Sequence, residues 1–144
     1  MAAPSSSTPK RATASRSSRR FTLLQANSSL PLVKRIVADI VKMHQQAVTC
    51  REALDSAKGQ RETADAQKSL DATVDRLSAL VDELSEVGAE LKDYDSGLID
   101  FVGRHDGRDV YLCWKLGEES ITHWHELHTG FAGRLPVSQL DERE

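Results

Sequence analysis

Three imidazoles fall within six residues in His123-Trp124-His125-Glu126-Leu127-His128, and a guanidinium follows in Gly130-Phe131-Ala132-Gly133-Arg134. These residue types hold metals, move protons and grip anions. On a strand, His123 and His125 stand at i and i+2 and point to one face, and imidazole is the commonest transition-metal ligand. His128 in the following loop supplies a third ligand, with Glu126 or Asp100 as the carboxylate that orients a ligand ring. A divalent transition metal is the cofactor such a set would take, and an open coordination position would activate water for hydrolysis. His-x-His pairs also arise by chance, and the pattern forces no fourth ligand.

Arg134 supports a different chemistry. Its fork can grip a carboxylate or phosphate, with Gly130 and Gly133 shaping the loop and Trp114 or Trp124 as an apolar wall. The plainer reading pairs Arg134 with Asp100, Glu126 or the acids of the preceding helix and ties the loop down. The sequence holds neither a P-loop nor a dinucleotide fingerprint. Nor does it hold a Gly-flanked serine elbow. Cys113 lies mid-strand beside Asp100, a neighbour that raises a thiol pKa and so weakens a nucleophile. His44 reads as a partly exposed helix-surface residue and His105 as a solvated residue at a turn.

Strands must position these groups. From Leu98 the hydrophobic period is two, and Asp106-Gly107 is a strong two-residue hairpin signal. That turn pairs Phe101 with Leu112 and Asp100 with Cys113. Ile99, Phe101, Val110, Leu112 and Trp114 then share an apolar face, and Asp100, Tyr111, Cys113 and Lys115 a more polar one. A second turn near Gly117-Glu118-Glu119 brings in a third strand, Ile121 to His125. If that turn has even length, His123 and His125 join Leu112 and Trp114 and face the helices. If it has odd length, they join Asp100 and Cys113 on the polar face.

Helices come first along the chain. Thr22 suits an N-cap, with Phe21 before it as a staple onto the next turn. A short helix is expected to about Ser29, with a kink or break at Pro31. Val33, Ile36, Ile40, Met43, Ala47, Cys50 and Leu54 form a coiled-coil-like seam. Lys58-Gly59-Gln60 breaks it, and Leu70, Val74, Leu77, Val81, Leu84 and Leu91 continue in a second helix interrupted by Gly88. Residues 33–58 carry five Lys or Arg against three acids, and residues 64–93 carry three against eight. Opposite charge and a short loop favour an antiparallel helical hairpin, with each helix spanning about 30–40 Å.

Residues 1–20 hold Lys10, Arg11, Arg16, Arg19 and Arg20 and no acid, so the remaining chain carries a net charge of −8. The tail reads as disordered. An acidic body argues against a broad nucleic-acid surface, leaving at most weak, salt-dependent contact through the tail. Cys50 and Cys113 lack metal-type spacing and read as free thiols, which implies a cytoplasmic chain. No apolar run reaches membrane-span length, so no membrane partner is expected.

Several blocks now occur in order: Phe21-Thr22-Leu23-Leu24-Gln25-Ala26-Asn27, Leu30-Pro31-Leu32-Val33, Gly97-Leu98-Ile99-Asp100-Phe101 and Val110-Tyr111-Leu112-Cys113-Trp114-Lys115-Leu116-Gly117. Trp124-His125-Glu126 and Gly130-Phe131-Ala132-Gly133-Arg134-Leu135-Pro136 complete them. Together they resemble the uncharacterised bacterial family known as domain of unknown function 2203, over residues 21–136. The resemblance implies a small, soluble bacterial protein and no established activity. Asp100, Trp114, His125 and Arg134 match the family's pattern, whereas His123 and His128 are particulars of this sequence. The usual family form has an acidic residue after the first Thr, where Leu23 and Leu24 stand here.

The expected protein is α+β: a long antiparallel helical hairpin, coiled-coil-like, with a small three-stranded antiparallel sheet packed against it. Residues 1–20 form a disordered basic tail, 21–136 a single domain and 137–144 a flexible C-terminal tail. The leading functional reading is a non-enzymatic binding or interaction module. Its ligand site is built from Asp100, Trp114, His125, Glu126 and Arg134, and the hairpin engages a protein partner or a second copy. The alternative is a small metal-dependent hydrolase using His123, His125 and His128, which requires a water-accessible His-x-His pair.

Overall fold

The computed structural model describes residues 19–143; the basic stretch 1–18, expected to be disordered, and Glu144 lie outside the described residues. Helix α1 runs from Leu23 to Ser56 without a break and α2 from Gly59 to Val87. Five strands follow: β1 Glu90–Asp93, β2 Leu98–His105, β3 Arg108–Lys115, β4 His123–Glu126 and β5 Leu135–Pro136. They form one antiparallel sheet whose spatial order is the chain order. The sheet therefore has five strands, not the expected three, and β4 starts two residues later than expected.

Thr22 caps α1 in a reciprocal box with Gln25: the Gln25 amide donates to Thr22 Oγ1 at 3.1 Å and the Thr22 amide donates to Gln25 Oε1 at 2.9 Å. The first turn contains no acidic residue. A carboxylate arrives instead from the far end of the chain, where Glu142 Oε2 accepts the Leu23 amide at 2.6 Å, a favourable placement at a helix N-terminus. The expected break at Pro31 does not occur. Pro31 lies on the exposed side of α1, while Ala26, Leu30, Val33, Val37 and Ile40 are buried along the other. Packing of that continuous stripe outweighs the roughly 3 kcal/mol that an internal proline costs a helix.

Most of the expected α2 seam turns inward, with Leu70 half-buried and Leu77, Val81 and Leu84 in or against the core. Ala66, Leu70, Thr73, Leu77, Leu80, Leu84 and Val87 turn inward, with Leu80 and Leu84 fully buried, whereas Val74 is exposed. Steps of four and three are kept, but the stripe passes through Thr73 and Leu80. Leu91 belongs to β1, not the helix, because Gly88 ends α2 at φ +114 with its amide on the Leu84 carbonyl. A Cβ on Gly88 would also stand 2.8 Å from the Phe21 ring. Phe21 packs edge-on against Phe101 at 4.9 Å and shares the buried cluster with Ala26, one turn into α1. Among the described residues no ion pair joins the two helices, so the apolar seam holds them together.

The Asp106-Gly107 turn forms with both residues at positive φ, +51 and +78, and it sets the anticipated register of Phe101 opposite Leu112 and Asp100 opposite Cys113. Ile99, Phe101, Val110, Leu112 and Trp114 are fully buried in one cluster with the helix residues. That cluster lies at the base of the hairpin. From Val41 to Ala79 no residue is buried, so the hairpin tip extends past the sheet as an arm. After Pro136 the chain makes a 3-10 turn at Val137–Gln139. Val137 and Leu140 pack on the core and the Asp141 carbonyl accepts the Asp106 amide at 2.8 Å.

Candidate functional site

An odd number of residues, Trp114 to Thr122, separates the paired residues Cys113 and His123. That parity puts His123 and His125 on the sheet face turned away from the helices, with Cys113 and Tyr111 as their cross-strand partners. Trp124 falls on the opposite face, opposite Leu112 in the core. Ile121 precedes the strand, where its amide donates to Asn27 Oδ1 at 2.8 Å, and it too reaches the core.

Asp100 from β2, Cys113 from β3 and His125 from β4 meet on this outer face, at 2%, 0% and 3% exposure. His125 Nε2 lies 3.2 Å from both carboxylate oxygens of Asp100. The other ring nitrogen, Nδ1, is 2.7 Å from the backbone carbonyl oxygen of Glu126. A carbonyl can only accept, so Nδ1 carries a proton and donates it. The Cys113 sulfur lies within 4.8 Å of the nearest Asp100 carboxylate oxygen. Among the described residues these three form the one group of potential metal ligands whose ligand atoms all lie within 4.8 Å of one another.

Burial dominates the electrostatics. It raises the Asp100 carboxyl above its ordinary range, against the opposing pull of His125 and Lys92. It pushes the Cys113 thiol up to about 12, with the Asp100 charge adding to the effect and Arg134 opposing it. The expected weakening of this cysteine as a nucleophile is therefore present, and desolvation is the larger cause.

Around the trio stand two paired cations. Lys92 reaches Glu90 at 2.9 Å and lies 4.3 Å from the centre of the Tyr111 ring. Tyr111 donates its hydroxyl to Glu90 at 3.1 Å and tilts against the His125 ring at 5.4 Å. Arg134 donates Nη2 to Glu118 Oε2 at 2.9 Å and packs 4.6 Å above the Phe131 ring. It thus ties the loop after β4 to the turn before it, and its partner is Glu118 in place of Asp100, Glu126 or an acid of α2. Its buried Nε has no hydrogen-bond partner.

The other expected site residues stand apart. Trp114 is on the helix side of the sheet, its indole N–H donating to the Glu118 carbonyl at 2.9 Å, because residues 113 and 114 necessarily point to opposite faces. Glu126 spends its carboxylate on Arg108 and lends the site only its backbone carbonyl. His123 Nδ1 contacts the Thr122 hydroxyl at 2.9 Å. Neither His123 nor His128 belongs to the ligand-forming group. His105, expected to be solvated, is half-buried: its ring stacks on Trp124 at 4.3 Å and its Nδ1 accepts the Asp141 amide at 3.0 Å. His44 is partly exposed, stacked on Tyr94 and 3.2 Å from Asp95.

Tyr111 stands on the expected polar face beside the site, whereas Glu90 and Lys92 are unexpected neighbours, because the helical period running through Leu91 hides their strand. The signal was Gly88 followed by the alternation of Glu90, Leu91 and Lys92. A sequence profile described as an uncharacterized conserved protein, DUF2203, matches residues 19–137. No curated protein and no solved structure matches the chain significantly.

Proposed function

The chain belongs to the DUF2203 family of uncharacterized conserved proteins, and from that premise we propose that it is a non-enzymatic binding module. Its small-ligand site is the outer face of the sheet at Asp100, Cys113, His125 and Arg134, and its helical arm engages a protein partner or a second copy. The observation that carries this reading is the burial of Asp100 and His125 on the face that the helices leave alone. Removing a carboxylate and an imidazole from water costs free energy that apolar residues would not. Ionisable groups held out of water in fixed geometry are a recurrent feature of ligand sites.

Closure of the site favours binding over the hydrolase alternative. Hydrolysis requires a water-accessible imidazole, and His125 is 3% exposed. A thiol at about 12 is a poor nucleophile. The arm supports the partner role: from the last buried residue of α1, Ile40, to its end at Ser56 it extends about 24 Å, with Val48 and Val74 exposed on it. No helix of the described residues is long and apolar enough to cross a membrane. Cys50 and Cys113 are both free, which suits a cytoplasmic setting.

The test is a proton–nitrogen NMR titration of the full chain with divalent cations, small carboxylates and phosphates, alongside sedimentation analysis of its oligomeric state. Shifts concentrated at Asp100, Cys113, His125 and Arg134 are expected. A folded chain whose outer-face resonances stay silent towards every class would end the reading.

A further inference from the structure

We propose that Asp100, Cys113 and His125 form a binding site for a thiophilic divalent cation of the zinc class. The proposal rests on the binding-module reading of the same face and names its ligand. Each residue comes from a different strand of one hydrogen-bonded ladder, so the backbone fixes their relative positions before any ligand arrives.

The histidine supplies the first argument. With the Nδ1 proton directed at the Glu126 carbonyl, His125 presents its other nitrogen, Nε2, to the two oxygens of Asp100. A proton shared by this pair occupies, in the metal-free chain, the position that a cation bound to both groups would take. Metal-bound histidines characteristically donate their other ring N–H to a carbonyl or carboxylate in this way.

Spacing supplies the second. Two ligand atoms each about 2.0–2.1 Å from a tetrahedral centre stand about 3.3 Å apart. Nε2 and either Asp100 oxygen are 3.2 Å apart. The Cys113 sulfur lies within 4.8 Å of both groups.

Charge supplies the third. A divalent cation held by one thiolate, one carboxylate and one neutral imidazole leaves no net charge in a site excluded from water. The nearby cations do not compete for these ligands, since Lys92 is held by Glu90 and Arg134 by Glu118. Thiolate and imidazole donors select zinc or cobalt over magnesium or calcium, which take oxygen ligands. Binding displaces the thiol proton and the proton shared by His125 and Asp100 to solvent and forms the metal–sulfur bond without a redox step.

The experiment is a titration of the full untagged chain, purified reduced and free of chelator, with cobalt(II), followed by zinc. Supporting results are one equivalent of cobalt bound with a thiolate-to-cobalt charge-transfer absorption, bleached by zinc. Cys113→Ser should abolish the band and Cys50→Ser should leave it. Asp100→Asn should weaken zinc binding by about 100-fold. Circular dichroism confirms that each variant is folded, and serine is close in size to the cysteine it replaces. A folded chain with no charge-transfer band, or a band that disappears with Cys50, overturns the proposal. If metals are silent in the NMR titration while carboxylates or phosphates still perturb the outer face, the metal site falls and the binding module stands; silence towards all of them removes both.

Discussion

His125 and Asp100 meet across a strand that belongs to neither: Nε2 of the one is 3.2 Å from both oxygens of the other, although β2 and β4 each pair with β3 and not with each other. Strands two apart are separated by about 9.5 Å, so the side chains converge above Cys113 and Tyr111. The contact therefore depends on the register of two separate hairpins.

Replacing Asp100 by asparagine should separate the site's cost from its use. The asparagine keeps the shape and one hydrogen-bonding oxygen of the carboxylate beside Nε2, and the buried negative charge is gone. Metal-free stability in urea unfolding should be unchanged or higher by about 1–2 kcal/mol. His125→Ala should instead lose about 3 kcal/mol or more, because it leaves the carboxylate buried without its partner. A large loss from Asp100→Asn would show that the pair stabilises the fold.

Cys113 should resist alkylation. Its thiol is fully buried and pushed up to about 12, so almost no thiolate exists at pH 8. Treatment of the native chain with iodoacetamide should label the half-buried Cys50 first. Cys113 should react only when denaturant is added, as read by peptide mass spectrometry.

Arg20 grips Asp109 through two hydrogen bonds, at 2.8 and 2.9 Å, and with Arg104 it holds that carboxyl below its ordinary 3.8. A depressed carboxyl contributes stability that is full above its unfolded value and is lost as pH falls through the folded one. The difference between the native chain and Arg20→Ala should thus be at most about 1 kcal/mol near neutrality. It should shrink steadily below about pH 4. A difference that persists at pH 2 would assign Arg20 an apolar packing role.

Two glycines at positive φ should respond differently to alanine. Gly59 at φ +77 has open space around it, while Gly88 at φ +114 would drive a Cβ to 2.8 Å from Phe21. Gly59→Ala should lose about 1 kcal/mol from backbone strain alone. Gly88→Ala should lose about 2–4 kcal/mol, because the Phe21–Phe101 contact must also shift. Equal losses in denaturant would show that the ring relaxes freely.

The seam through α2 predicts a contrast between neighbouring turns. Leu80→Ala removes a side chain 2% exposed and should lose about 2–5 kcal/mol. Val74→Ala, 43% exposed, should stay within about 0.5 kcal/mol. Amides between residues 45 and 75 should exchange faster than those near Ile40 and Leu84, since local opening at the tip exposes little apolar surface.

Local rules made much of this molecule legible. Thr22 marked a helix start, Asp106-Gly107 fixed a hairpin and its register, and alternation from Ile99 to Trp114 named the buried face. Each depends on atoms a few residues apart, where backbone sterics and side-chain period leave little freedom. The β1 strand is hidden in the sequence because acidic and apolar residues from Ser78 to Asp93 fit a helical period, until Gly88 takes a left-handed conformation that only packing against Phe21 makes plain.

The site itself was half written. Asp100 and Cys113 followed from one two-residue turn, but His125 joined them only through the parity of the longer connection from Trp114 to Thr122, whose path the Glu118 contacts to Lys115 and Arg134 hold in place. Two residues of a strand face the same way by covalent geometry, so the chain alone determined that His123 and His125 share a face. Which face that is, and which carboxylate and thiol His125 meets there, depends on the sum of a turn and two ladders. Only the folded sheet, with its apolar side committed to Leu30, Val33 and Leu84, decided it.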